Sequence, residues 1–260
     1  MLANTCPSNF KQQLDYFEKT AKEDMAAQFQ NQHALLDHLA NSIFFINIGS
    51  NDLLTNYRSS HRSLQDGPEL AAFIQSMIAS LSDGRLYGLG ARKFLMFDIG
   101  ALGCSAAFTS TLADPSQCSG EINGLAIAFN ERMRPVKKQL ESELRQAWFV
   151  YGDGFSVNVA MHVKPDSYGA DNSHITSTGF QNSREPCCNA TLSIAGTCTP
   201  NTEPCADRSK YLFWDYFHPT EAVAAFLANE CFSKTSLCNP INLQQLAERQ
   251  LTSGSAPPSS

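Results

Sequence analysis

Amphipathic stretches alternate with short, continuous apolar runs along this chain. Over residues 8–41 the apolar positions recur at mostly helical intervals among Gln, Lys and Glu, which predicts one or two amphipathic helices. Residues 42–49 and 92–100 are apolar at consecutive positions, as is typical of strands that are buried on both faces of a parallel sheet. The sequence therefore predicts a sheet with helices packed on it.

The same alternation continues towards the C-terminus. Further amphipathic stretches predict helices at residues 68–82, 122–146 and 219–232, and further apolar runs predict strands at residues 147–151 and 211–214. Pro135 predicts a kink in the second of these helices. Strands that are separated by helices imply right-handed crossovers, so we expect an α/β fold whose parallel sheet is flanked by helices.

Residues 167–208 lack this periodicity, and we expect them to form a long loop that is cross-linked by disulfides. They hold four cysteines among Gly, Thr, Asn and Pro: Cys187, Cys188, Cys198 and Cys205. A zinc site is the alternative, but structural zinc sites usually show a Cys-x₂₋₄-Cys pair, and adjacent cysteines rarely bind one ion together. The histidines show no metal-binding spacing either, so we expect no metal site.

Composition narrows the class of protein. The 260 residues are 43% hydrophobic, which is enough for one sizeable core, so we expect a single domain over residues 1–251. The Ser/Pro-rich residues 252–260 predict a disordered tail. A net charge of −6 without a long basic run argues against a nucleic-acid partner. No apolar run approaches the roughly 20 residues of a transmembrane helix.

Cysteine usage predicts an oxidising, extracellular location. Nine cysteines is a high count for this length, although the residues after Met1 do not read as a signal peptide. An odd number leaves at least one thiol without a partner inside the chain. Asn189-Ala-Thr191 is a predicted N-glycosylation acceptor within the cysteine-rich loop.

The strongest chemical motif is Trp214-Asp-Tyr-Phe-His-Pro-Thr-Glu221, which lies between a predicted strand and a predicted helix. Asp215 and His218 are three residues apart, close enough for the carboxylate to accept the imidazole N–H. Such a bond fixes the tautomer and stabilises the imidazolium that forms when His218 takes a proton. A helix cap beside a loop histidine is the structural alternative. The position after a strand favours catalysis, because open α/β folds place their sites there.

Gly49-Ser-Asn-Asp52 also follows a predicted buried strand. Asn51 can aim its amide N–H at a developing oxyanion, and Gly49 allows close approach of the backbone. By itself, the tetrapeptide also fits an ordinary turn. The Asp-x-x-His spacing and this turn together indicate an active site much more specifically than either motif alone.

With these residues in place, the chain resembles the plant GDSL-type esterase/lipase family within the SGNH hydrolases. The similar segments run in the family's order over residues 8–232: Phe45-Ile-Asn-Ile-Gly-Ser-Asn-Asp52, Ile99-Gly-Ala-Leu-Gly-Cys104, Cys118 with Glu121-Ile-Asn-Gly124, Tyr151-Gly-Asp153, Pro186-Cys-Cys188 and Phe213-Trp-Asp-Tyr-Phe-His-Pro-Thr-Glu221. The resemblance implies a flavodoxin-like SGNH hydrolase fold and hydrolysis of a small-molecule or lipid ester without a cofactor. It implies that His218 is the general base, that Asp215 orients it, and that Asn51 and Gly49 belong to the oxyanion site.

The family's first block, a Gly-Asp-Ser-Leu motif that supplies the nucleophile, has no counterpart in this sequence. The second block, which gives another oxyanion N–H, has none either. We therefore expect a sheet without its first strand, in which the strand at residues 42–48 keeps one unpaired apolar edge. Two functions follow from this departure. One is a GDSL-type ester hydrolase that is impaired for lack of the nucleophile block, and the other is a catalytically silent binding or interaction protein.

Ser105 is a weak substitute for the missing nucleophile. Gly103-Cys-Ser-Ala-Ala107 approximates a G-x-S-x-G elbow, and the order Ser105, Asp215, His218 matches that of an α/β-hydrolase. An elbow needs a helix directly after the serine, however, and residues 106–116 are poor helix formers. The nucleophile therefore stays unassigned.

Overall fold

The computed structural model describes residues 10–60, 71–72, 74–75, 84–169, 179–192 and 196–250, with the side chains of residues 56–60 left out. The helices are α1 (Phe10–Lys19), α2 (Gln32–Asn41), α3 (Ser50–Ser60), α4 (Arg85–Gly88), α5 (Ala106–Thr109), α6 (Gly120–Glu143), α7 (Gly154–Val163), α8 (Glu221–Ser233) and α9 (Leu243–Glu248). The strands are β1 (Ile43–Ile46), β2 (Lys93–Phe97), β3 (Trp148–Gly152), β4 (Asn182–Pro186), β5 (Tyr211–Phe213) and β6 (Cys238–Asn239).

The main sheet has the strand order β1-β2-β3-β6. The first three strands are parallel, and β6 pairs antiparallel with β3. The expected α/β class is confirmed, with a mixed rather than a purely parallel sheet. Two-residue β6 is too short to show an apolar run, which is why the sequence pattern does not reveal it.

Helices cover both faces of the sheet at β2 and β3, which explains the continuous apolar runs of these two strands. On one face, the stacked rings of Phe94 and Phe149 lie in a cluster with Phe129 and Leu140 of α6. The other face packs against the C-terminal helices through a second cluster: Leu95, Val150, Cys231, Leu237, Cys238 and Leu246. Successive residues of a strand point to opposite faces, so burial of both faces requires apolar residues at consecutive positions.

Strand β1 lies at one end of the sheet and pairs only with β2 within the described residues. Its burial alternates, and Phe45 is 62% exposed while its ring packs edge-to-face on Phe97. The expectation of burial on both faces is therefore wrong for β1, whose residues are exposed or half-buried, while the expected unpaired edge is present within the described residues. Strands of this kind without charged residues are prone to pair with other chains.

Two of the remaining helix predictions differ in detail from the structure. The helix predicted at residues 122–146 runs from Gly120 to Glu143, and it continues through Pro135. It begins after Ser119, whose hydroxyl accepts the Ile122 N–H at 3.4 Å. The helix predicted at residues 68–82 lies mostly outside the described residues, where positions 71–72 and 74–75 are helical. The predicted tail at residues 252–260 also lies outside them.

The cysteine-rich segment is more ordered than the sequence indicates. Strand β4 pairs in parallel with β5 in a separate two-stranded sheet. The expectation of an unstructured loop over residues 167–208 is therefore wrong for residues 182–186. Only Ser183 is buried in Asn182–Pro186, so this strand lacks the apolar pattern that reveals the others. The expectation that β5 belongs to the main parallel sheet is wrong as well.

Four disulfides join eight of the nine cysteines. The pairs are Cys104–Cys118, Cys187–Cys205, Cys188–Cys198 and Cys231–Cys238. The predicted cross-linking of the 167–208 segment is confirmed, and its four cysteines are in disulfides rather than in a zinc site. The ninth cysteine, Cys6, lies outside the described residues.

Candidate active site

A tight turn between β5 and α8 holds Asp215 and His218. The Trp214 N–H donates to the His218 carbonyl at 2.8 Å and closes the turn. Asp215 Oδ1 accepts the backbone N–H groups of Phe217 and His218, each at 2.8 Å. A short aspartate that bonds the backbone two and three residues ahead is a common way to fix such a turn. Thr220 then caps α8 by accepting the Val223 N–H.

The second carboxylate oxygen orients the imidazole. His218 Nδ1 donates to Asp215 Oδ2 at 2.8 Å, which is the contact that the three-residue spacing predicts. The Asp215 side chain is 8% exposed, whereas that of His218 is 70% exposed. Since Nδ1 carries the proton in this bond, Nε2 is the basic nitrogen that faces outwards. This arrangement can accept a proton from a hydroxyl group on a bound molecule.

The backbone conformation at position 49 and the close packing around it both require a glycine. It has φ +107°, and a Cβ built there would lie 2.8 Å from Ile99 Cδ1 and 3.2 Å from Phe129 Cζ. Its carbonyl accepts the Leu53 N–H at 2.9 Å, which begins α3. Only glycine satisfies both conditions without strain. Gly49 therefore turns the chain sharply from β1 into α3.

Asn51 lies in the first turn of α3 and is exposed. The described contacts do not join its side chain to the Asp215–His218 turn. Gly49 and Asn51 follow a strand of the main sheet, while Asp215 follows β5 of the small sheet. The resemblance implies that Asn51 and His218 serve one site. This stays a prediction, because the strands that precede the two residues belong to different sheets.

Ser105 is buried, and its Oγ has no hydrogen-bond partner among the described residues. It precedes α5, which spans only Ala106–Thr109, in line with the poor helix-forming character of the segment. The described contacts place no side-chain bond between Ser105 and His218. A hydroxyl enclosed in this way is unsuited to attack a substrate.

Sequence reasoning missed Asn130, which anchors the end of β2. Its side-chain oxygen accepts the Ile99 N–H and its amide donates to the Ile99 carbonyl, both at 2.9 Å. Ile99 in turn packs on Gly49, so Asn130 supports the turn that carries Asn51. A buried asparagine on the apolar face of a helix is the signal that could have revealed it.

Comparison with known proteins decides the family. A profile described as GDSL-like lipase/acylhydrolase matches residues 5–231. The chain belongs to this family. GDSL esterase/lipase 7 from Arabidopsis thaliana is 36% identical over 250 residues, which are 93% of this chain and 65% of that protein. GDSL esterase/lipase At4g16230 from the same plant is 34% identical over 251 residues, which are 94% of this chain and 65% of that protein.

This GDSL-family chain spans about two thirds or less of its relatives' length. The figure is 65% for the two relatives above and 60% for GDSL esterase/lipase At1g71691 from Arabidopsis thaliana, which is 32% identical over 92% of this chain. The helices of the described residues include none that is both long and apolar enough to span a membrane, and the described His, Cys, Asp and Glu side chains form no metal-binding group.

Proposed function

We propose that this chain carries the general base and the orienting carboxylate of a GDSL-type serine ester hydrolase. The observation that carries the proposal is the 2.8 Å bond from His218 Nδ1 to the buried Asp215. This bond leaves an exposed Nε2 with the correct tautomer to act as a base. The substrate class is a carboxylic ester, including a lipid ester, as in the family to which the chain belongs.

In this proposal, a serine Oγ attacks the ester carbonyl and its proton passes to His218 Nε2. Collapse of the tetrahedral intermediate gives an acyl-enzyme, and the imidazolium returns the proton to the departing alcohol. Water then attacks the acyl group with His218 again as the base, which releases the acid and the serine. Asp215 stabilises the imidazolium in both steps.

The oxyanion that develops in each step needs hydrogen-bond donors. Asn51 is the side chain that we assign to this role, and Gly49 sets its direction by turning β1 into α3. Removal of one such donor costs on the order of 2.7–4 kcal/mol in other hydrolases. With Asn51 as the one assigned side-chain donor, we expect weak transition-state stabilisation from this chain alone.

The nucleophile is the part that we do not place in this chain. Ser105 is buried, and the 260 residues contain no Gly-Asp-Ser motif. A positioned base without a nucleophile can at most activate water, and the members of a triad act as a unit. We therefore propose that the chain by itself hydrolyses esters no faster than its His218→Ala variant.

Hydrolysis of a short-chain aryl ester tests this proposal on the purified chain, on His218→Ala and on Ser105→Ala. Equal background rates are expected for all three. A burst that requires His218 and vanishes in Ser105→Ala would show that Ser105 is the nucleophile after all. Activity that requires His218 but survives in Ser105→Ala would assign another serine of this chain.

A chimera tests the positive half of the proposal. It joins the Gly-Asp-Ser block of a family member to the N-terminal side of this chain and is called the block-restored chimera below. We expect it to gain ester hydrolysis that requires His218, Asp215 and the added serine. A matched chimera with that serine changed to Ala controls for activity that the fused segment brings by other means.

We also propose an extracellular location. The four disulfides and the exposed Asn189 in an Asn-x-Thr sequence support it. Expression through the secretory route of a eukaryotic cell should give a glycan that is absent from Asn189→Gln, as seen in the mass of the purified protein. A chain of unmodified mass with reduced cysteines would contradict the proposal.

A further inference from the structure

Neighbouring segments hold the Asp215–His218 turn from outside through its main chain. The Tyr216 N–H donates to the Gly196 carbonyl at 3.1 Å, and the Tyr216 carbonyl accepts the Ala107 N–H at 3.0 Å. The Cys188 N–H donates to the Trp214 carbonyl at 2.9 Å. Tyr216 lies between the two members of the pair, so both of its backbone groups are fixed by residues distant in sequence.

Gly196 packs closely against the Asp215–His218 turn. It is buried with φ +77°, and a Cβ built on it would lie 2.6 Å from Phe217 Cε2 and 3.0 Å from Tyr216 Cβ. A contact under 3.0 Å forces a shift, and the left-handed backbone also disfavours a side chain. Any larger residue at 196 must therefore push on the two residues that separate Asp215 from His218.

Disulfides fix the segment that carries Gly196. The Cys188–Cys198 disulfide joins residues that are ten apart in sequence, and the Cys187–Cys205 disulfide encloses that segment. The Thr199 N–H donates to the Asn189 carbonyl at 2.7 Å, next to an isolated antiparallel β-bridge between Ala190 and Cys198. We call the described residues 187–192 and 196–205 the stapled loop. Its cross-links restrict the movement that would otherwise let Gly196 leave the turn.

We propose that Gly196, held by the Cys188–Cys198 disulfide, is a positioning residue for the His218 base. The stapled loop sets the backbone between Asp215 and His218, and through it the angle at which the imidazole meets the carboxylate. This inference rests on the proposed function, since it concerns the same base. It extends the active-site structure to a loop that contributes no reacting group.

Proton NMR detects the hydrogen bond between His218 and Asp215 directly. In proton NMR of the ¹⁵N-histidine-labelled chain, the Nδ1-bound proton of His218 should resonate downfield, and His218→Gln identifies it by its loss. Gly196→Ala should abolish or broaden this resonance. The matched control is Gly84→Ala, because Gly84 also has a positive φ, of 68°, while its Cβ would meet no described atom within 4 Å. Gly84→Ala should keep the resonance.

A second variant covers the case in which Gly196→Ala does not fold. The double change Cys188→Ala with Cys198→Ala leaves Gly196 in place but frees its segment, and it should broaden or remove the same resonance. If Gly196→Ala folds, an unchanged His218 resonance in this variant overturns the proposal. If Gly196→Ala does not fold, an unchanged resonance in the double variant overturns it. A loss of the resonance in Gly84→Ala as well would overturn it too, because the effect would then be general.

Kinetic measurements distinguish a failure of this proposal from a failure of the proposed function. In the block-restored chimera, Gly196→Ala should lower kcat by about 10²-fold with little change in KM, which is the effect of a misplacement near 1 Å. A chimera without ester hydrolysis would refute the function while the NMR result still decides the positioning. Normal kcat in folded Gly196→Ala would refute the positioning while leaving the function intact.

Discussion

Asp215 and His218 share a 2.8 Å hydrogen bond but lie in different environments, with side chains that are 8% and 70% exposed, respectively. The carboxylate accepts three N–H groups, which satisfies it inside the protein. A hydrogen bond in a low-dielectric interior is stronger than the same bond in water. The protein thus combines a firmly held orienting group with a base that a substrate can reach.

Asp215→Asn separates the structural role of this aspartate from its orienting role. The amide oxygen can still accept the backbone N–H groups of Phe217 and His218, but the amide nitrogen would face Nδ1–H and favour the wrong tautomer. We expect a loss of stability of about 1–3 kcal/mol. In the block-restored chimera we expect kcat to fall by about 10⁴-fold, the effect of this change in a serine protease.

The control for that variant is Asp207→Asn. Asp207 also fixes the backbone of a turn by accepting the Ser209 N–H at 3.1 Å, but it has no histidine partner among the described residues. Stability and steady-state kinetics should be nearly unaffected in this variant. Equal kinetic losses in both variants would show that turn geometry, rather than the tautomer of His218, explains the effect.

Gly49→Ala should destabilise the protein more than Gly84→Ala. Both glycines have positive φ, so each variant loses about 1–2 kcal/mol from the backbone. Gly49→Ala also forces a methyl group against Ile99 and Phe129, which adds about 1–3 kcal/mol for overpacking. Urea unfolding of the two variants measures the difference, and equal midpoints would contradict the close packing described for Gly49.

His162 should make stability depend on pH. It is buried on α7, and its Nδ1 donates to the Ser183 carbonyl at 3.2 Å. Burial lowers the pKa of His162 below its usual value near 6.5, although backbone hydrogen bonds with Ser183 and Ser116 oppose this shift and Arg184 adds slightly to it. Below pH 6.5 the unfolded chain therefore binds more protons at this residue than the folded chain does.

The free energy of unfolding should consequently fall as the pH drops below about 6.5, by up to about 1.4 kcal/mol per pH unit from this group. The contribution of His162 is fully present above that pH. His162→Gln cannot titrate, so the difference between the chain and this variant isolates the effect in urea unfolding at several pH values. A difference that does not change with pH would contradict a buried neutral His162.

The sequence predicts those features in which the deciding residues are neighbours. β2 is apparent because burial on both faces demands consecutive apolar residues, and β1 shows the same apolar run although its residues are exposed or half-buried. The Asp215–His218 bond follows from a three-residue spacing within one turn. Such local relationships can be read without knowledge of the rest of the fold.

The missed features depend on contacts between distant segments. β4 contains Asn182, Arg184 and Glu185, so it looks like a loop until it pairs with β5. Gly196 contacts Tyr216 through a main-chain hydrogen bond, and its lack of a side chain leaves room for the Phe217 ring. Neither feature leaves a residue pattern in the sequence. Disulfide partners are equally hidden, since spacing alone does not specify connectivity.

Thiol counting tests the disulfide pattern. Eight cysteines are paired in the described residues, and Cys6 is the ninth. Protein that is made under oxidising conditions and denatured without reductant should therefore show one reactive thiol per chain. Full reduction should expose nine. Nine thiols before reduction would contradict the four cross-links.

The kcat of the block-restored chimera on a short-chain aryl ester, measured with and without His218→Ala, tests the central claim that His218 is the base. The prediction is a loss of at least about 10³-fold, because removing a triad member leaves only the catalysis due to substrate binding and the oxyanion site. Folding of both proteins is checked by their unfolding midpoints. A chimera that hydrolyses the ester equally well with alanine at position 218 would contradict the claim.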